Sequence, residues 1–264
     1  MKFKSIKQFV NKNNKNLFMI DTNSKKKISF CELYYLSQNL QYILKKKRIS
    51  KEKEFLIRIE PDILLISIFL SLTFFNYKIT PADYSKFELL KTGSKNIIKN
   101  ENGKVKITFS SGTKKENIKF DFKNLIKKNS SNLPFEQKSS ILNYSSGTTG
   151  KPKIIIQNIM NFFKNGAYFV NANSLNSSNK FLNILPLNYM GGFFNTLIIC
   201  LLCGGRVILG STFSSLNILN FWRFISKYKI NTVWLTPNAL SLILKANENK
   251  KIKNIYLKKC LVGM

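Results

Sequence analysis

The chain contains no histidine, and only four of its 264 residues are arginine. Without an imidazole, it cannot use the side chain that most often serves enzymes as a general base. The absence also argues against a zinc or redox site at Cys200 and Cys203, whose CxxC spacing has no second pair and no histidine beside it. Both lie in an apolar segment. We therefore expect no metal site and two buried thiols that pack as small hydrophobic side chains.

The scarcity of arginine also limits what the high positive charge can mean. The formal net charge is +30, which would suit a nucleic-acid partner because lysine and arginine neutralise phosphates. Proteins that read bases, however, favour arginine for bidentate contacts. The lysines are also spread along the whole chain instead of forming one stripe. We expect a lysine-rich surface and no specific nucleic-acid partner.

Long uninterrupted apolar runs are missing as well. The run at residues 63–75 is too short for a bilayer, which takes about 20 residues in a helix. The longer uncharged stretch at residues 181–205 contains Pro186 and several asparagines, so it predicts a strand, a loop and a buried helix. The N-terminus is polar and lysine-rich, unlike a secretory signal. We expect no membrane span and a cytoplasmic protein.

What is present is a globular composition, with 44% hydrophobic residues and 22 phenylalanines. Ser29 and Glu32 form a capping box before apolar residues at helical spacing. A strand at residues 55–59 precedes a helix whose first turn we expect to contain Pro61. Alternation at residues 104–122 predicts a hairpin. Further predicted strands are residues 140–144, 206–209, 232–235 and 257–262, and further predicted helices are residues 216–228 and a segment after Pro237.

Repeated strand and helix units predict an α/β fold with mostly parallel sheets layered with helices. We divide the chain into a first α/β part with the hairpin (residues 1–125), a connection (residues 126–139) and a second α/β part (residues 140–264).

The segment richest in chemistry is residues 144–153, which read Tyr-Ser-Ser-Gly-Thr-Thr-Gly-Lys-Pro-Lys. Glycines allow the backbone to approach a polyphosphate, hydroxyls and amides donate hydrogen bonds, and lysine supplies charge. A Walker A loop is excluded because only two residues separate the glycines and proline follows Lys151. A shorter sequence at residues 109–115, Phe-Ser-Ser-Gly-Thr-Lys-Lys, lacks the second Thr-Gly and is interpreted as a hairpin turn. Residues 144–153 therefore predict a phosphate-binding loop between two strands.

The full string closely resembles the phosphate-binding signature of the AMP-forming acyl-CoA synthetase, adenylation-domain and luciferase superfamily. Other segments resemble that family in the same order. Residues 28–83 are similar to its opening units, and residues 234–238 to a later strand-to-helix segment. Residues 185–192, Leu-Pro-Leu-Asn-Tyr-Met-Gly-Gly, resemble its acid-pocket motif, with Tyr189 in the place of the usual histidine.

The resemblance implies the N-terminal part of the large domain of an enzyme that attacks Mg²⁺-bound ATP with a carboxylic acid. The products would be an acyl-adenylate and pyrophosphate, and CoA would then accept the acyl group, as in fatty acid metabolism. Tyr189 and Gly191 would border the acid pocket, although Tyr189 could instead be a core aromatic residue and Lys153 an ordinary surface lysine. The residues implied to bind ATP phosphates are Ser145, Ser146, Gly147, Thr148, Thr149, Gly150, Lys151 and Lys153.

Three features of the family are absent from the 264 residues. These are a Tyr-Gly-x-Thr-Glu loop, a Thr-Gly-Asp segment and a C-terminal lid domain with a catalytic lysine. We therefore expect an incomplete N-terminal part of an acyl-CoA ligase, with the missing half on a separate chain as one arrangement. Two alternatives are a fragment of an amino-acid adenylation domain and a non-catalytic nucleotide-binding or interaction domain.

Overall fold

A computed structural model describes residues 6–49, 54–90, 96–101, 104–111, 114–128, 132–145, 153–210, 218–248 and 256–263. The described strands are Leu17–Asp21 (β1), Lys27–Ser29 (β2), Glu54–Arg58 (β3), Lys78–Ala82 (β4), Asn96–Glu101 (β5), Lys104–Ser111 (β6), Lys114–Phe120 (β7), Ser140–Ser145 (β8), Lys153–Asn158 (β9), Lys180–Asn183 (β10), Arg206–Leu209 (β11), Thr232–Leu235 (β12) and Lys259–Val262 (β13).

The described helices are Phe30–Lys46 (α1), Ile63–Thr73 (α2), Tyr84–Leu90 (α3), Phe122–Leu125 (α4), Ile159–Ala172 (α5), Met190–Gly192 (α6), Ile199–Cys203 (α7), Phe221–Tyr228 (α8) and Pro237–Lys245 (α9). A 3₁₀ turn at Ile6–Gln8 precedes β1, and a π-helical segment at Phe193–Ile198 joins α6 to α7.

The chain forms two compact units. The first unit comprises Val10–Lys15 and Phe30–Phe163, and the second comprises Met1–Phe9, Asn16–Ser29 and Lys164–Met264. The boundary before Lys164 falls inside α5, so one helix contributes residues to both units.

The first unit contains a mixed sheet whose described strands are ordered β7-β6-β5-β3-β4-β8-β9. Its centre is parallel, since β3 pairs with β4 and β5 in that sense and β4 with β8. The predicted hairpin at residues 104–122 is confirmed as the antiparallel pair β6 and β7.

The helices α1 and α2 of this unit bury their apolar residues and contact each other. In α1 the predicted stripe is confirmed, because Leu33, Leu36, Leu40 and Leu44 are all buried. Every residue of α2 is buried, and the buried Ser37 and Ser71 hydroxyls join the two helices at 2.8 Å. These helices supply much of the unit's apolar core.

The start of α2 differs from the prediction for Pro61. The helix begins at Ile63, and the extended Asp62 is its N-cap, with a carboxylate oxygen that accepts a hydrogen bond from the Leu65 amide at 2.8 Å. Because that carboxylate satisfies a free amide of the first turn, Pro61 lies before the helix instead of inside it.

The predicted connection at residues 126–139 lies inside the first unit. The Gln137 amide donates to the Phe74 carbonyl at 3.0 Å, and the Ser140 amide donates to the Tyr77 carbonyl at 2.9 Å. These bonds align β8 beside β4, where Ser140 is paired with Lys78. The segment therefore leads a strand into the first sheet, and the division into compact units comes later, within α5.

The second unit contains a sheet whose described strands are ordered β13-β12-β10-β11-β1-β2. All neighbouring pairs are parallel except β1 and β2. The strands predicted at residues 206–209 and 232–235 are confirmed with the same ends, and α8 and α9 confirm helices in the predicted segments. The predicted α/β class is correct.

Cys200 and Cys203 are buried with free thiols, as the apolar setting predicts. Burial raises the pKa of the Cys200 thiol well above its usual value. Among the described residues, no helix combines the length and apolar character needed to cross a membrane.

Candidate functional site

The predicted phosphate loop connects two paired strands. In the antiparallel hairpin of β8 and β9, Tyr144 is opposite Ile154 and Ser145 is opposite Lys153. The backbone thus brings Ser145 and Lys153 together as the last and first residues of the two strands. Residues 146–152 join these paired ends and lie outside the described residues. The predicted roles of Ser146, Gly147, Thr148, Thr149, Gly150 and Lys151 therefore stay predictions.

The base of this hairpin is anchored by buried hydrogen bonds. Ser139, which precedes β8, donates its hydroxyl to the Leu72 carbonyl at 2.8 Å and accepts from the Tyr77 amide at 3.0 Å. Its own carbonyl accepts from the Ile159 amide at 2.9 Å, where β9 gives way to α5. The strands that flank the loop are consequently fixed to α2 and β4. Sequence reasoning did not identify Ser139, because nothing local distinguishes it from Ser140.

A strand follows the loop, as the sequence predicts. β9 occupies Lys153–Asn158, and α5 begins only at Ile159. A Walker A loop would lead into a helix whose N-terminal amides bind the phosphate. The described strand confirms the prediction that a strand, and no helix, directly follows the loop.

The predicted acid-pocket motif follows the carboxyl end of β10. Tyr189 occupies the N-cap of α6 with 53% of its surface exposed, so the interpretation of Tyr189 as a core aromatic residue is wrong. Gly191 is buried in α6. The Phe193 amide donates to the Tyr189 carbonyl at 3.0 Å, and the π-helical segment begins at Phe193. Such segments occur frequently at functional sites.

A buried polar cluster holds this turn in place. The Asn183 side-chain amide, at the end of β10, donates to the Gly192 carbonyl at 2.9 Å and contacts the Thr196 hydroxyl. Thr196 also donates its hydroxyl to the Gly192 carbonyl. A Cβ at position 192 would lie 2.2 Å from the carbonyl oxygen of Pro186. Sequence reasoning missed Asn183 and Thr196, although a polar residue at the end of an apolar strand could have signalled the first.

The segment at residues 234–238 leaves the same edge of the second sheet. Thr236 is the N-cap of α9, where its hydroxyl accepts from the Ala239 amide at 3.1 Å, and Pro237 begins the helix. β10 and β12 are parallel neighbours, so the turn with Tyr189 and the turn at Thr236 both follow carboxyl strand ends. In α/β sheets this edge is the usual place for ligands.

The sequence-predicted residues are distributed over the two units. The strands that flank the phosphate loop belong to the first unit, whereas Tyr189 and Gly191 belong to the second. Within the part of the chain that the structure describes, no group of histidine, cysteine and carboxylate side chains is arranged to hold a metal ion.

The sequence also matches known proteins. A family model described as AMP-binding enzyme matches residues 10–264. Among curated proteins, the sulfoacetate–CoA ligase of Cupriavidus necator is 29% identical over 105 residues, which cover 40% of this chain and 20% of the ligase.

Solved structures of related enzymes share the fold at low sequence identity. ATP-bound MatB from Rhodopseudomonas palustris superposes with a TM-score of 0.74 at 14% identity, over 100% of this chain and 55% of MatB. The o-succinylbenzoate CoA synthetase of Bacillus subtilis, in complex with its acyl-adenylate intermediate, gives 0.72 at 17% identity over 98% of this chain and 67% of that structure.

The chain thus spans about half the length of MatB. The mixed α/β fold is that of the N-terminal domain of adenylate-forming enzymes. Since the family model covers nearly all of its residues, the chain belongs to the AMP-binding enzyme family.

Proposed function

We propose that the chain provides the ATP phosphate-binding loop and part of the acid pocket of an enzyme that activates a carboxylic acid as its acyl-adenylate. The observation that carries the proposal is the anchored hairpin of β8 and β9, whose paired ends at Ser145 and Lys153 flank a loop of hydroxyl, glycine and lysine residues. Membership of the AMP-binding family supports the same function.

In the proposed reaction, a carboxylate oxygen attacks the α-phosphorus of ATP, the bond to the bridging oxygen breaks, and pyrophosphate leaves. Catalysis of this kind depends mainly on positioning and on charge neutralisation. Backbone amides around Gly147 and Gly150 and the hydroxyls of Thr148 and Thr149 would bind the β- and γ-phosphates. Lys151 would neutralise the charge that develops on pyrophosphate. Mg²⁺ would enter with ATP as part of the substrate.

The acid would bind at the carboxyl edge of the second sheet, beside Tyr189 and Gly191. An exposed tyrosine offers an apolar ring and a hydroxyl at once. Phe193 is 2% exposed and belongs to the core, whereas Phe194 is only partly buried. Tyr189 and Phe194 are therefore the aromatic residues that favour an apolar acid. We propose CoA as the acyl acceptor, by similarity to the sulfoacetate–CoA ligase.

ATP binding to the purified chain tests the loop, and the chain offers its own control. We expect Lys151→Met to weaken ATP binding about tenfold or more in calorimetric titration, because a hydrogen bond to a charged group contributes about 1.5–3 kcal/mol. Lys114→Met changes the lysine after the shorter Ser-Ser-Gly-Thr sequence, and we expect it to bind ATP like the unmodified chain. No ATP binding by the unmodified chain, or an equal loss in both variants, would contradict the proposal.

Pyrophosphate exchange into ATP tests the chemistry. The assay uses fatty, aryl and amino acids with the 264-residue chain, and with any longer protein that the same gene encodes. Exchange that requires a fatty or aryl acid supports an acid–CoA ligase. Exchange with amino acids alone would overturn the ligase assignment in favour of amino-acid adenylation. ATP binding without any exchange, by the chain and by any longer protein that the gene encodes, would favour a non-catalytic nucleotide-binding domain.

A further inference from the structure

A cavity of about 660 Å³ opens at the amino edge of the second sheet. Its wall contains residues at which parallel strands begin: Lys180 starts β10, Arg206 starts β11 and Leu17 starts β1. Asn231 and Lys258 also line it and directly precede β12 and β13. Because these strands are parallel, the cavity lies at the edge opposite the one that the Tyr189 turn leaves. It is therefore separate from the proposed acid pocket.

The charge of this cavity is of one sign. Four cations line it, namely Lys180, Arg206, Lys229 and Lys258, and the described lining contains no carboxylate. Burial lowers the pKa of Lys180, and the positive charges of Arg206 and Lys229 lower it further. The site thus holds positive charges that repel one another in a partly enclosed space.

The polar frame that carries these cations is fixed by hydrogen bonds. The Asn231 side chain accepts from the Lys180 amide at 2.8 Å and donates to the Ser178 carbonyl at 2.9 Å. Ser178 donates its hydroxyl to Asn176 at 2.7 Å, and Asn179 donates to the Thr232 hydroxyl at 2.8 Å. Asn231, which lines the cavity, thus joins the start of β10 to the loop before it, and Asn176 and Asn179 stabilise the same region from outside the lining. A frame of this kind positions charged groups before a ligand arrives.

An ordinary lysine-rich surface does not account equally well for all four cations. Lys229 has a structural role, since it is the C-cap residue after α8, and a positive charge at this place interacts favourably with the helix C-terminus. Lys180 has no such role. It starts a strand, it is only partly exposed, and the neighbours that shift its pKa through their charge are cations. A bound anion would remove this repulsion.

We propose that this cavity binds a small, multiply phosphorylated molecule. Its volume lies within the range of about 300–1,000 Å³ that is typical of small-molecule sites, and its polar lining suits a charged ligand. Phosphate oxygens form short, charge-assisted hydrogen bonds with lysine and arginine. Several phosphate charges are needed to offset four cations, so we expect a weak response to a single phosphate and a strong response to tripolyphosphate.

Lysine footprinting tests the site by residue. The chain is treated with an amine-selective acylating reagent, with and without tripolyphosphate, and each lysine is read by mass spectrometry. We expect saturable protection of Lys180, Lys229 and Lys258 by at least fivefold, with little change at the exposed Lys245 of α9. The phosphate loop is read separately at Lys151 and Lys153. Weak, uniform protection of all lysines would show only counterion binding and would overturn the proposal.

A thermal-shift experiment with a matched variant gives a second test. All variants carry Lys151→Met, which removes a lysine of the phosphate loop. Without anion, the variant that also carries Lys180→Gln should have the same Tm as the Lys151→Met variant or a higher one, because the second substitution removes a repelled charge. Tripolyphosphate should raise the Tm of the Lys151→Met variant by several degrees, and Lys180→Gln should lose this rise. Lys245→Gln should keep it. If Lys180→Gln gains as much as Lys245→Gln, the cavity does not bind the anion.

Discussion

Gly192 is surrounded so closely by backbone atoms that no side chain larger than hydrogen fits at this position. A Cβ there would lie 2.2 Å from the Pro186 oxygen and 2.7 Å from the Leu185 oxygen. Backbone atoms cannot rotate away as a flexible side chain can, so the turn that presents Tyr189 would have to move. We expect Gly192→Ala to lower the free energy of unfolding by about 2 kcal/mol, as overpacking commonly does. Urea denaturation followed by circular dichroism measures the change.

Gly263→Ala is the matched control, because a Cβ at that position would meet no heavy atom within 4 Å. We expect it to change the free energy of unfolding by less than about 0.5 kcal/mol. Similar losses in both variants would mean that the cost arises from replacing any glycine, and the packing explanation for Gly192 would be wrong.

The same motif shows what a sequence reveals about single residues. Its Leu-Pro-Leu-Asn-Tyr-Met-Gly-Gly string locates the turn, and the structure confirms a turn into a helix there. The exposure of Tyr189 could not be predicted, because tyrosine occurs both in protein cores and at solvent-exposed surfaces. The hydrogen bond between Asn183 and Gly192 joins residues outside any regular helical or strand period, so periodicity could not predict it.

At the scale of elements, the apolar pattern predicts many helices and strands. A buried stripe indicates α1, whereas a short apolar run indicates α2, in which every residue is buried. The pattern also predicts the hairpin of β6 and β7, and it places β11 and β12 with their observed ends. It does not predict the parallel pairing of β8 with β4, since Ser140 and Lys78 are distant in sequence. It also misses the π-helical segment at Phe193–Ile198, because five of its six residues are buried and a segment without an exposed face has no period from which the size of the turn can be inferred.

β9 is an edge strand of the first sheet among the described strands, and it is unusually apolar. Ile154, Ile155 and Ile156 are 53%, 49% and 67% exposed. An exposed apolar edge is a template for pairing with another chain. We expect the double variant Ile154→Lys and Ile156→Lys to slow heat-induced aggregation of the purified chain several-fold, as measured by light scattering.

The control variant must add the same positive charge at exposed apolar residues that do not belong to an edge strand. Leu242 and Leu244 of α9 are 48% and 57% exposed, and replacing both with lysine also adds two positive charges. We expect a much smaller effect on aggregation. If the two double variants slow aggregation equally, net charge is responsible and the edge of β9 is not.

At the scale of the whole molecule, the chain contains 43 basic residues and only 13 acidic ones. The described ion pairs, such as Lys47 with Glu116 at 3.2 Å, lie at the surface, where each contributes about 0–1 kcal/mol. Such pairs cannot offset a net charge of +30, and self-repulsion destabilises a compact state. The fold should therefore be more stable in salt.

Salt reduces this repulsion because the screening length falls from about 10 Å at 0.1 M to about 3 Å at 1 M. We expect the Tm to rise by roughly 3 °C or more between 0.05 and 0.5 M NaCl, which corresponds to about 1 kcal/mol for a protein of this size. Calorimetry in an amine buffer avoids phosphate binding. Lys86 and Lys164 are exposed, one in each unit, and replacing both with glutamate should raise the Tm at low salt and flatten its salt dependence. A Tm that is unchanged or lower in 0.5 M NaCl would show that the lysines are spaced widely enough to avoid repelling one another.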